Sequence, residues 1–431
     1  MSFLGPKSRK IIELDKELIS SSLTRVSDLV FERLEGMNVW DADNKKYLDF
    51  TAGVAVANCG HSNPEIIQAI KKQLEKGIHL GFSDFYSELP LLVCRELKPL
   101  LPANLNNFFF SNSGTEAVEA MYKCARWHSN RTWFIAFEGA FHGRTLGSLS
   151  LTKSKPVQKE RFEPFMPVKH VPYAYCYRCD KGSYPDCGIG CLNDFEKQLK
   201  ELKGRVAGVI IEMIQGENGY IVPPKEFIKG IRKLCSEHQV LLCDDEVQAG
   251  CFRTGKFLAS EHFKIETDLV ALSKALGNGM PIGLTIANKK TMDWPPGSHA
   301  NTMGGNLVAC ASALATLKYL KKEKLGDNAL KIGKIILKEL SELQEKSKFL
   351  GDIRGIGLMI GVELVKSKKT KEFGIAERDA LITKALEKGL VLLPAGTSGF
   401  RICPPLIIKK EEALKGLEII GDCLKEIEKK K

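Results

Sequence analysis

Short apolar runs alternate with amphipathic segments through the middle of the chain. Apolar residues recur at helical spacing in 64–76 and again after Ser113, where Val118, Met121, Tyr122 and Ala125 share one face. Between such segments, apolar runs predict strands at 107–111, 132–137, 206–211, 240–244, 269–272 and 282–287. Because runs that are apolar throughout are typical of parallel strands covered on both faces, we predict an α/β fold with a mostly parallel, helix-covered sheet.

The two ends of the chain follow different patterns. Alternating apolar positions in 39–50, with Asp43 and Asn44 at the turn, predict a hairpin. From about residue 312 the sequence predicts one long amphipathic helix, a strand at 358–363, another helix, a strand at 391–393 and a final helix. We therefore predict an amino-terminal arm with part of a small domain at 1–60, a large domain at 61–311, and the rest of a smaller α+β domain at 312–431.

Composition agrees with a folded protein of two domains. The chain has 431 residues, of which 44% are hydrophobic and 27% charged, and this excludes disorder as the main state. The net charge of +11 is spread over lysines interleaved with acids, so we interpret it as solvated surface and expect no nucleic-acid partner. We also expect no membrane span and no signal peptide, because no apolar stretch is long enough and the first residues carry charges. Most of the 13 cysteines stand singly in apolar runs, which predicts buried free thiols and a cytoplasmic location.

Lys274 is the first candidate for chemistry. It follows the apolar run 269–272 and opens a turn that contains Gly277 and Gly279. A lysine at the end of such a strand lies near the sheet edge where α/β proteins place ligands. Burial there would lower its pKa and make the amine a candidate for a Schiff base, whereas the alternative is an ordinary surface lysine.

Two further segments could bind parts of a ligand at the same edge. Residues 113–116 join a strand to a helix amino terminus, which predicts either a phosphate site or a plain N-cap with Thr115 as the capping residue. Asp244, Asp245 and Glu246 end another strand, and an acid there either caps a helix or binds a ligand. A phosphate site, an acid for a cationic nitrogen and an amine together suggest pyridoxal 5'-phosphate (PLP).

Six motifs make the resemblance specific. They follow one another in the order Phe141-His-Gly-Arg-Thr145, Ile211-Glu-Met-Ile-Gln-Gly-Glu217, Asp245-Glu-Val-Gln248, Ser273-Lys-Ala-Leu-Gly-Asn-Gly279, His299-Ala-Asn-Thr-Met-Gly-Gly-Asn306 and Phe400-Arg-Ile-Cys-Pro-Pro405. Over nearly its whole length the chain resembles the class III aminotransferases, PLP-dependent enzymes of fold type I. Within that family it is similar to an archaeal subgroup of 4-aminobutyrate and ornithine aminotransferases and broad-substrate amino-acid racemases.

The resemblance implies a role for each matching residue toward the cofactor. Lys274 would bind the cofactor aldehyde and carry a proton, and Asp245 would pair with the pyridine nitrogen. Thr302 would reach the phosphate of a neighbouring subunit, which implies a homodimer or a dimer of dimers. The remaining implied cofactor-binding residues are Ser113, Gly114, Thr115, Phe141, His142, Glu212, Val247 and Gln248.

The resemblance also implies how amino-acid and 2-oxo-acid substrates bind. Arg144 and Arg401 would hold carboxylates, and Glu217 would pair with Arg401 until an α-carboxylate displaces it. Ornithine aminotransferases have tyrosines near the substrate amine where this chain has Thr24 and Val54, which disfavours ornithine. We therefore expect transfer of an amino group from a 4-aminobutyrate-like ω-amine or another amino acid to 2-oxoglutarate. The alternatives are an amino-acid racemase on the same scaffold and an ornithine aminotransferase.

The segment 169–192 is predicted to be an insertion in the large domain and contains four grouped cysteines, Cys176, Cys179, Cys187 and Cys191. Zinc prefers thiolates in a tetrahedral array, so these side chains could form a structural zinc site. Two disulfides or free thiols would suit the same spacing.

Overall fold

The computed structural model describes residues 4–429. Its helices are α1 Pro6–Leu18, α2 Ala52–Ala55, α3 Pro64–Lys76, α4 Glu88–Leu97, α5 Gly114–Ser129, α6 Leu146–Leu151, α7 Gly190–Glu201, α8 Lys225–Glu237, α9 Leu307–Lys322, α10 Leu325–Lys346, α11 Ile375–Glu387 and α12 Lys410–Lys429. Its strands are β1 Phe31–Glu35, β2 Asn38–Asp41, β3 Lys46–Asp49, β4 Asn107–Ser111, β5 Trp133–Phe137, β6 Val168–Val171, β7 Val206–Ile211, β8 Leu241–Asp245, β9 Leu269–Leu272, β10 Gly283–Ala287, β11 Leu350–Ile356, β12 Met359–Leu364, β13 Leu390–Val391, β14 Leu393–Ala395 and β15 Gly399–Ile402.

The large sheet has seven strands in the order β4-β10-β9-β8-β7-β5-β6. Strands β9, β8, β7, β5 and β6 are parallel, whereas β10 runs antiparallel to both of its neighbours. The prediction of a mostly parallel sheet is therefore confirmed. Since β4 and β9 both run opposite to β10, the carboxyl ends of β4, β5, β7, β8 and β9 lie at one edge.

Helices cover this sheet on both faces because successive strand residues point to opposite sides. In β7, Val209 lies in the same buried cluster as Phe227 of α8, while the next residue, Ile210, lies in the cluster of Val118 from α5. Every residue of β7 is buried as a result. Apolar residues on both faces thus fix the sheet between two helical layers and leave its edges for polar chemistry.

Two smaller sheets flank this core. Strands β1, β2 and β3 form a meander. Strand β13, from the carboxy-terminal part of the chain, pairs in parallel with β3, with Leu390 opposite Leu48. The other sheet has the order β11-β12-β15-β14. The predicted division at residues 60 and 311 remains a prediction.

The structure corrects three expectations. Ser113, not Thr115, caps α5, since its Oγ accepts a hydrogen bond from the Glu116 amide at 3.3 Å. The single long helix predicted after residue 312 is wrong, because α9 and α10 are separated at Lys324, which has a left-handed φ of 49°. Strand β11 was not predicted, and all but its first residue are half-buried.

The predicted insertion 169–192 is only partly irregular, because its first residues belong to β6 of the large sheet and its last to α7. The residues between them reach the sheet that contains β12. Tyr175 and Arg178 both contact the carboxylate of Glu363 in β12. Arg354 of β11 approaches the same carboxylate at 3.5 Å, and its Nε donates to the carbonyl of Gly219 at 3.0 Å. The insertion is thereby connected through Glu363 and Arg354 to the loop that follows β7.

Within the described residues, no helix combines the length and the apolar character needed to cross a bilayer. The structure also contains Cys124, Cys243 and Cys310 as buried free thiols, as predicted, while Cys94 is only half-buried.

Candidate active site

Lys274 lies immediately beyond the carboxyl end of β9. Its φ of 42° is left-handed, which is unusual for a residue with a side chain and typical of strained functional positions. Ser273 holds the preceding turn, since its Oγ donates to the carbonyl of Ile282 at 2.6 Å. Burial lowers the pKa of the Lys274 amine, against the opposing charge of Asp245. No hydrogen bond or ion pair to the described residues holds the Nζ, so this amine is available for chemistry.

Asp245 ends the neighbouring strand β8 and pairs with a histidine. Its Oδ2 lies 2.7 Å from His142 Nδ1, and its Oδ1 accepts a hydrogen bond from the Val247 amide at 3.1 Å. His142 is buried, and its Nε2 makes no hydrogen bond with any of residues 4–429. These two contacts fix the Asp245 carboxylate at the sheet edge, beside Lys274.

Glu212 follows β7 and is buried behind the same edge. Its two carboxylate oxygens accept hydrogen bonds from the amides of Phe141, at 2.9 Å, and Gly216, at 2.7 Å. Burial raises the pKa of this carboxyl, and the charge of His142 opposes that effect. Glu212 thereby fixes the loop that carries Phe141 and His142 to the loop after β7.

Asp244 and Glu246 are the sequence neighbours of Asp245, and both side chains are buried. Neither carboxyl oxygen of Asp244 makes a well-formed hydrogen bond within the described chain. Burial, together with the charge of Asp245, raises the pKa of Asp244. A raised pKa favours the protonated form of Asp244, which is unsuited to the role of Asp245.

The amino terminus of α5 supplies an anion site. The amides of Gly114 and Thr115 make no hydrogen bond to described residues, as expected for the first turn of a helix. A Cβ on Gly114 would lie 2.7 Å from Val247 Cγ1, so only glycine permits this approach of helix and loop. The Thr115 hydroxyl lies 2.6 Å from Ser148 Oγ, which fixes the helix start against α6. Free amides and the helix dipole together favour a phosphate here.

These groups surround one cavity of about 300 Å³. Phe141 and Val247 provide apolar surface and Gln248 an amide. The full lining comprises Ser113, Gly114, Thr115, Phe141, His142, Gly143, Arg144, Glu212, Asp245, Val247, Gln248 and Lys274. The structure thus brings together all of the predicted cofactor-binding residues except Thr302.

Arg401 and Glu217 form an ion pair next to this cavity. Arg401 Nη2 lies 3.2 Å from Glu217 Oε2, and Arg401 Nη1 donates to Gln248 Oε1 at 3.5 Å. The arginine side chain is only 7% exposed and its Nε has no partner within the described chain. Although burial opposes it, the charges of Arg401 and Lys155 lower the pKa of Glu217. The cavity is therefore bordered by a guanidinium that is already neutralised.

The other predicted substrate residues are placed differently. Arg144 lines the cavity, with its guanidinium 5.5 Å from the centroid of the Phe141 ring, and forms no ion pair with described residues. Val54 lies outside the lining, partly exposed, with a left-handed φ of 65°. Thr302 is exposed and also lies outside it. Its predicted contact with a second subunit remains a prediction.

Sequence reasoning missed two residues beside this site. Tyr220 is buried, and its hydroxyl donates to Gln248 Oε1 at 2.8 Å. Lys155 Nζ lies 2.8 Å from Glu217 Oε1. Tyr220 could have been found as the aromatic residue that follows the Gln-Gly-Glu motif, whereas no pattern in the sequence distinguishes Lys155 from other surface lysines.

The four cysteines of the insertion do not form the predicted zinc site. Among residues 4–429, no group of three or more histidine, cysteine or acidic side chains is placed to hold a metal ion. Cys176 is exposed and Cys191 buried, and all four are free thiols. Tyr175 and Arg178 connect the segment to Glu363 of β12.

The residues present fit PLP. The free amides of α5 suit its phosphate, the Asp245 carboxylate suits a protonated ring nitrogen, and the unpaired Lys274 amine suits its aldehyde. Phe141 and Val247 supply apolar surface for the ring.

Comparisons with known proteins agree with this geometry. Residues 20–424 match the family described as Aminotransferase class-III. An acetylornithine aminotransferase of Methanopyrus kandleri is 39% identical over 91% of this chain and 93% of its own length. An alanine/serine racemase of Pyrococcus horikoshii is 36% identical over 98% of this chain and 91% of its own.

A solved structure gives the same result for the fold. The ornithine aminotransferase from Toxoplasma gondii, with PLP partially occupying its active site, superimposes with a TM-score of 0.87 at 28% identity. The superposition covers 98% of this chain and 95% of that one. The architecture is thus fold type I, and the chain belongs to the class III aminotransferases, a family of PLP-dependent enzymes.

Proposed function

We propose that the enzyme transfers an amino group from a carboxylate-bearing ω-amine, of the 4-aminobutyrate type, to 2-oxoglutarate. The observation that carries this proposal is the ion pair between Arg401 and Glu217 at 3.2 Å. In an ω-amine the reacting carbon carries two hydrogens besides the amino group and the chain, whereas in 2-oxoglutarate the reacting carbon carries a carboxylate. A guanidinium that is neutralised by an internal carboxylate suits the first substrate, and one that is released suits the second.

PLP, when bound, supplies an aldehyde that takes up the amine and a ring that stabilises negative charge on the reacting carbon. Lys274 Nζ removes the proton from that carbon and returns it, a role for which its lowered pKa suits it. Asp245 holds a proton on the ring nitrogen, and His142 orients Asp245 through its 2.7 Å contact. Arg144 is the exposed cation on the lining of the cavity and binds the distal carboxylate of either substrate.

The racemase alternative requires a second acid on the cofactor face opposite Lys274. Besides Lys274, the ionisable groups in the described cavity lining are His142, Arg144, Glu212 and Asp245. His142 pairs with Asp245, and Glu212 accepts two backbone amides. This arrangement supports transamination over racemisation, despite the similarity to the Pyrococcus racemase.

We further propose that the active enzyme is a homodimer. Leu80, Phe85 and Tyr86 are exposed large apolar residues, and they line one surface depression together with Gly305. That depression adjoins the loop that carries Thr302, the residue predicted to reach a neighbouring subunit. An exposed apolar patch of this kind favours association of two copies.

The deciding experiment incubates the PLP-loaded protein with 2-oxoglutarate and 4-aminobutyrate, N-acetylornithine or ornithine. Glutamate formation from the first or the second donor is expected. A parallel chiral assay with alanine, serine, leucine or methionine, without oxo acid, tests racemisation. Interconversion of enantiomers faster than glutamate formation from any ω-amine would overturn the proposal.

A further inference from the structure

Glu217 contacts two cations rather than one. Its Oε2 faces Arg401 Nη2 at 3.2 Å, and its Oε1 faces Lys155 Nζ at 2.8 Å. The two partners differ in access to water, since the Lys155 side chain is 44% exposed and that of Arg401 only 7%. The carboxylate therefore bridges a buried cation beside the cavity and a second cation at the surface.

Lys155 reaches Glu217 from a separate part of the large domain. It precedes the short 3-10 turn Pro156–Gln158, and its carbonyl accepts a hydrogen bond from the Gln158 amide at 3.2 Å. Glu217 is held from the other side, because its carbonyl accepts a hydrogen bond from the Gly396 amide at 2.8 Å. With its backbone fixed, Glu217 can leave Arg401 only by a rotation of its side chain.

Arg401 and Lys155 differ in what they bind once a substrate with an α-carboxylate enters the cavity. An α-carboxylate that binds Arg401 must displace Glu217 Oε2 from it. The Glu217 side chain is only 20% exposed in its pair with Arg401, and once displaced its carboxylate faces the added negative charge of the substrate. A carboxylate left without a partner there would oppose binding, and Lys155 is the partner that remains.

We propose that Lys155 is a specificity-determining positioning residue that holds Glu217 after an α-carboxylate has displaced it from Arg401. This inference rests on the proposed function, because it names the partner of Glu217 while a substrate α-carboxylate occupies Arg401. Lys155 touches neither cofactor nor substrate in this role. When the substrate carboxylate replaces Glu217 at Arg401, the ion pair between Lys155 and Glu217 is kept. Glu217 therefore stays close enough to return to Arg401 when the substrate leaves.

The test measures binding and half-reactions of the PLP-loaded Lys155→Met variant. Binding of 2-oxoglutarate to the aldehyde form is measured by calorimetry, which requires no turnover. We expect its affinity to fall about fivefold, consistent with one partly exposed ion pair. The single-turnover rate with 4-aminobutyrate or N-acetylornithine should change by less than about twofold, since the Arg401–Glu217 pair is intact in that complex.

Two further variants separate this role from others. Lys153→Met removes the same charge from an exposed lysine without an ion pair to described residues, and we expect it to match the wild type. In the Glu217→Ala background, Lys155→Met should have no further effect on 2-oxoglutarate affinity, because the residue it holds is gone.

Three outcomes would overturn the inference. They are an unchanged affinity in Lys155→Met, an equal loss in Lys153→Met, and a fivefold loss that persists in the Glu217→Ala background. The last would mean that Lys155 binds the substrate directly. Failure of the proposed function itself is distinguishable, because the wild type would then racemise amino acids faster than it forms glutamate from any ω-amine, whereas failure of this inference leaves wild-type glutamate formation intact.

Discussion

Replacing Glu217 by glutamine removes the charge that neutralises Arg401 and keeps the shape of the side chain. Breaking a fully buried ion pair costs about 3–5 kcal/mol, and breaking an exposed one less than about 1 kcal/mol. With side-chain exposures of 20% for Glu217 and 7% for Arg401, this pair lies between those limits. We take about 2 kcal/mol, which corresponds to roughly a thirtyfold change in rate.

That loss should appear only with one class of substrate. In this variant Arg401 retains neutral partners only, the amide at position 217 and Gln248 at 3.5 Å, so a bound ω-amine leaves the guanidinium charge uncompensated. We therefore expect kcat/KM for the ω-amine half-reaction to fall by roughly thirtyfold. An α-amino acid brings its own carboxylate to Arg401 and no longer has to displace Glu217, so its half-reaction should be unchanged or faster.

Stopped-flow absorbance of the cofactor under single-turnover conditions measures each half-reaction separately. Glu138→Gln is a suitable control, because Glu138 is an exposed acid with no ion pair among the described residues. Equal losses in both half-reactions of Glu217→Gln would refute the reasoning and make Glu217 a structural residue.

Three other predictions address the cofactor site and the buried acids. Lys274→Ala should lose both the visible absorbance of the lysine-bound cofactor and turnover, and turnover near the wild-type rate would contradict the assignment of this amine. Asp245→Asn should retain PLP but slow single turnover by about a thousandfold or more, because a neutral partner no longer holds the ring proton; an unaffected rate would assign that role to another acid. Asp244 keeps its proton in the folded state and loses it above about pH 4 when unfolded, so it destabilises the protein increasingly as the pH rises toward neutrality. Asp244→Asn should therefore flatten the decline of the thermal midpoint between about pH 4.5 and 8, whereas an unchanged slope would place the titration elsewhere.

The cofactor site could be predicted because its residues stand at the ends of apolar strands. Asp245 ends β8 and Lys274 follows β9, and both strands end at the same edge once their parallel pairing is known. Short runs that are apolar throughout, set between helical segments with a 3.6-residue period, are enough to place such strand ends. The motifs around Phe141 and Arg401 then added the residues that no periodicity marks.

The remaining features depend on contacts between distant segments. Strand β11 was missed because Asp352 and Arg354 interrupt its apolar pattern, and the structure pairs their side chains with each other at 2.5 Å. Lys324 separates two helices although it is not a glycine, so the break has no sequence signal. Lys155 meets Glu217 across 62 residues of sequence, and only the folded chain brings them together.

The segment 169–192, which lacks the predicted metal site, has a consequence for how the specificity of this enzyme could change by mutation. Tyr175 and Arg178 contact Glu363, Glu363 contacts Arg354, and Arg354 donates to the carbonyl of Gly219, two residues from Glu217. A substitution in this surface segment can therefore alter the stability of the loop that neutralises Arg401 while every residue of the cavity stays the same. Selection on substrate preference thus has a target remote from the chemistry, where changes are tolerated more readily than among the residues that hold the cofactor.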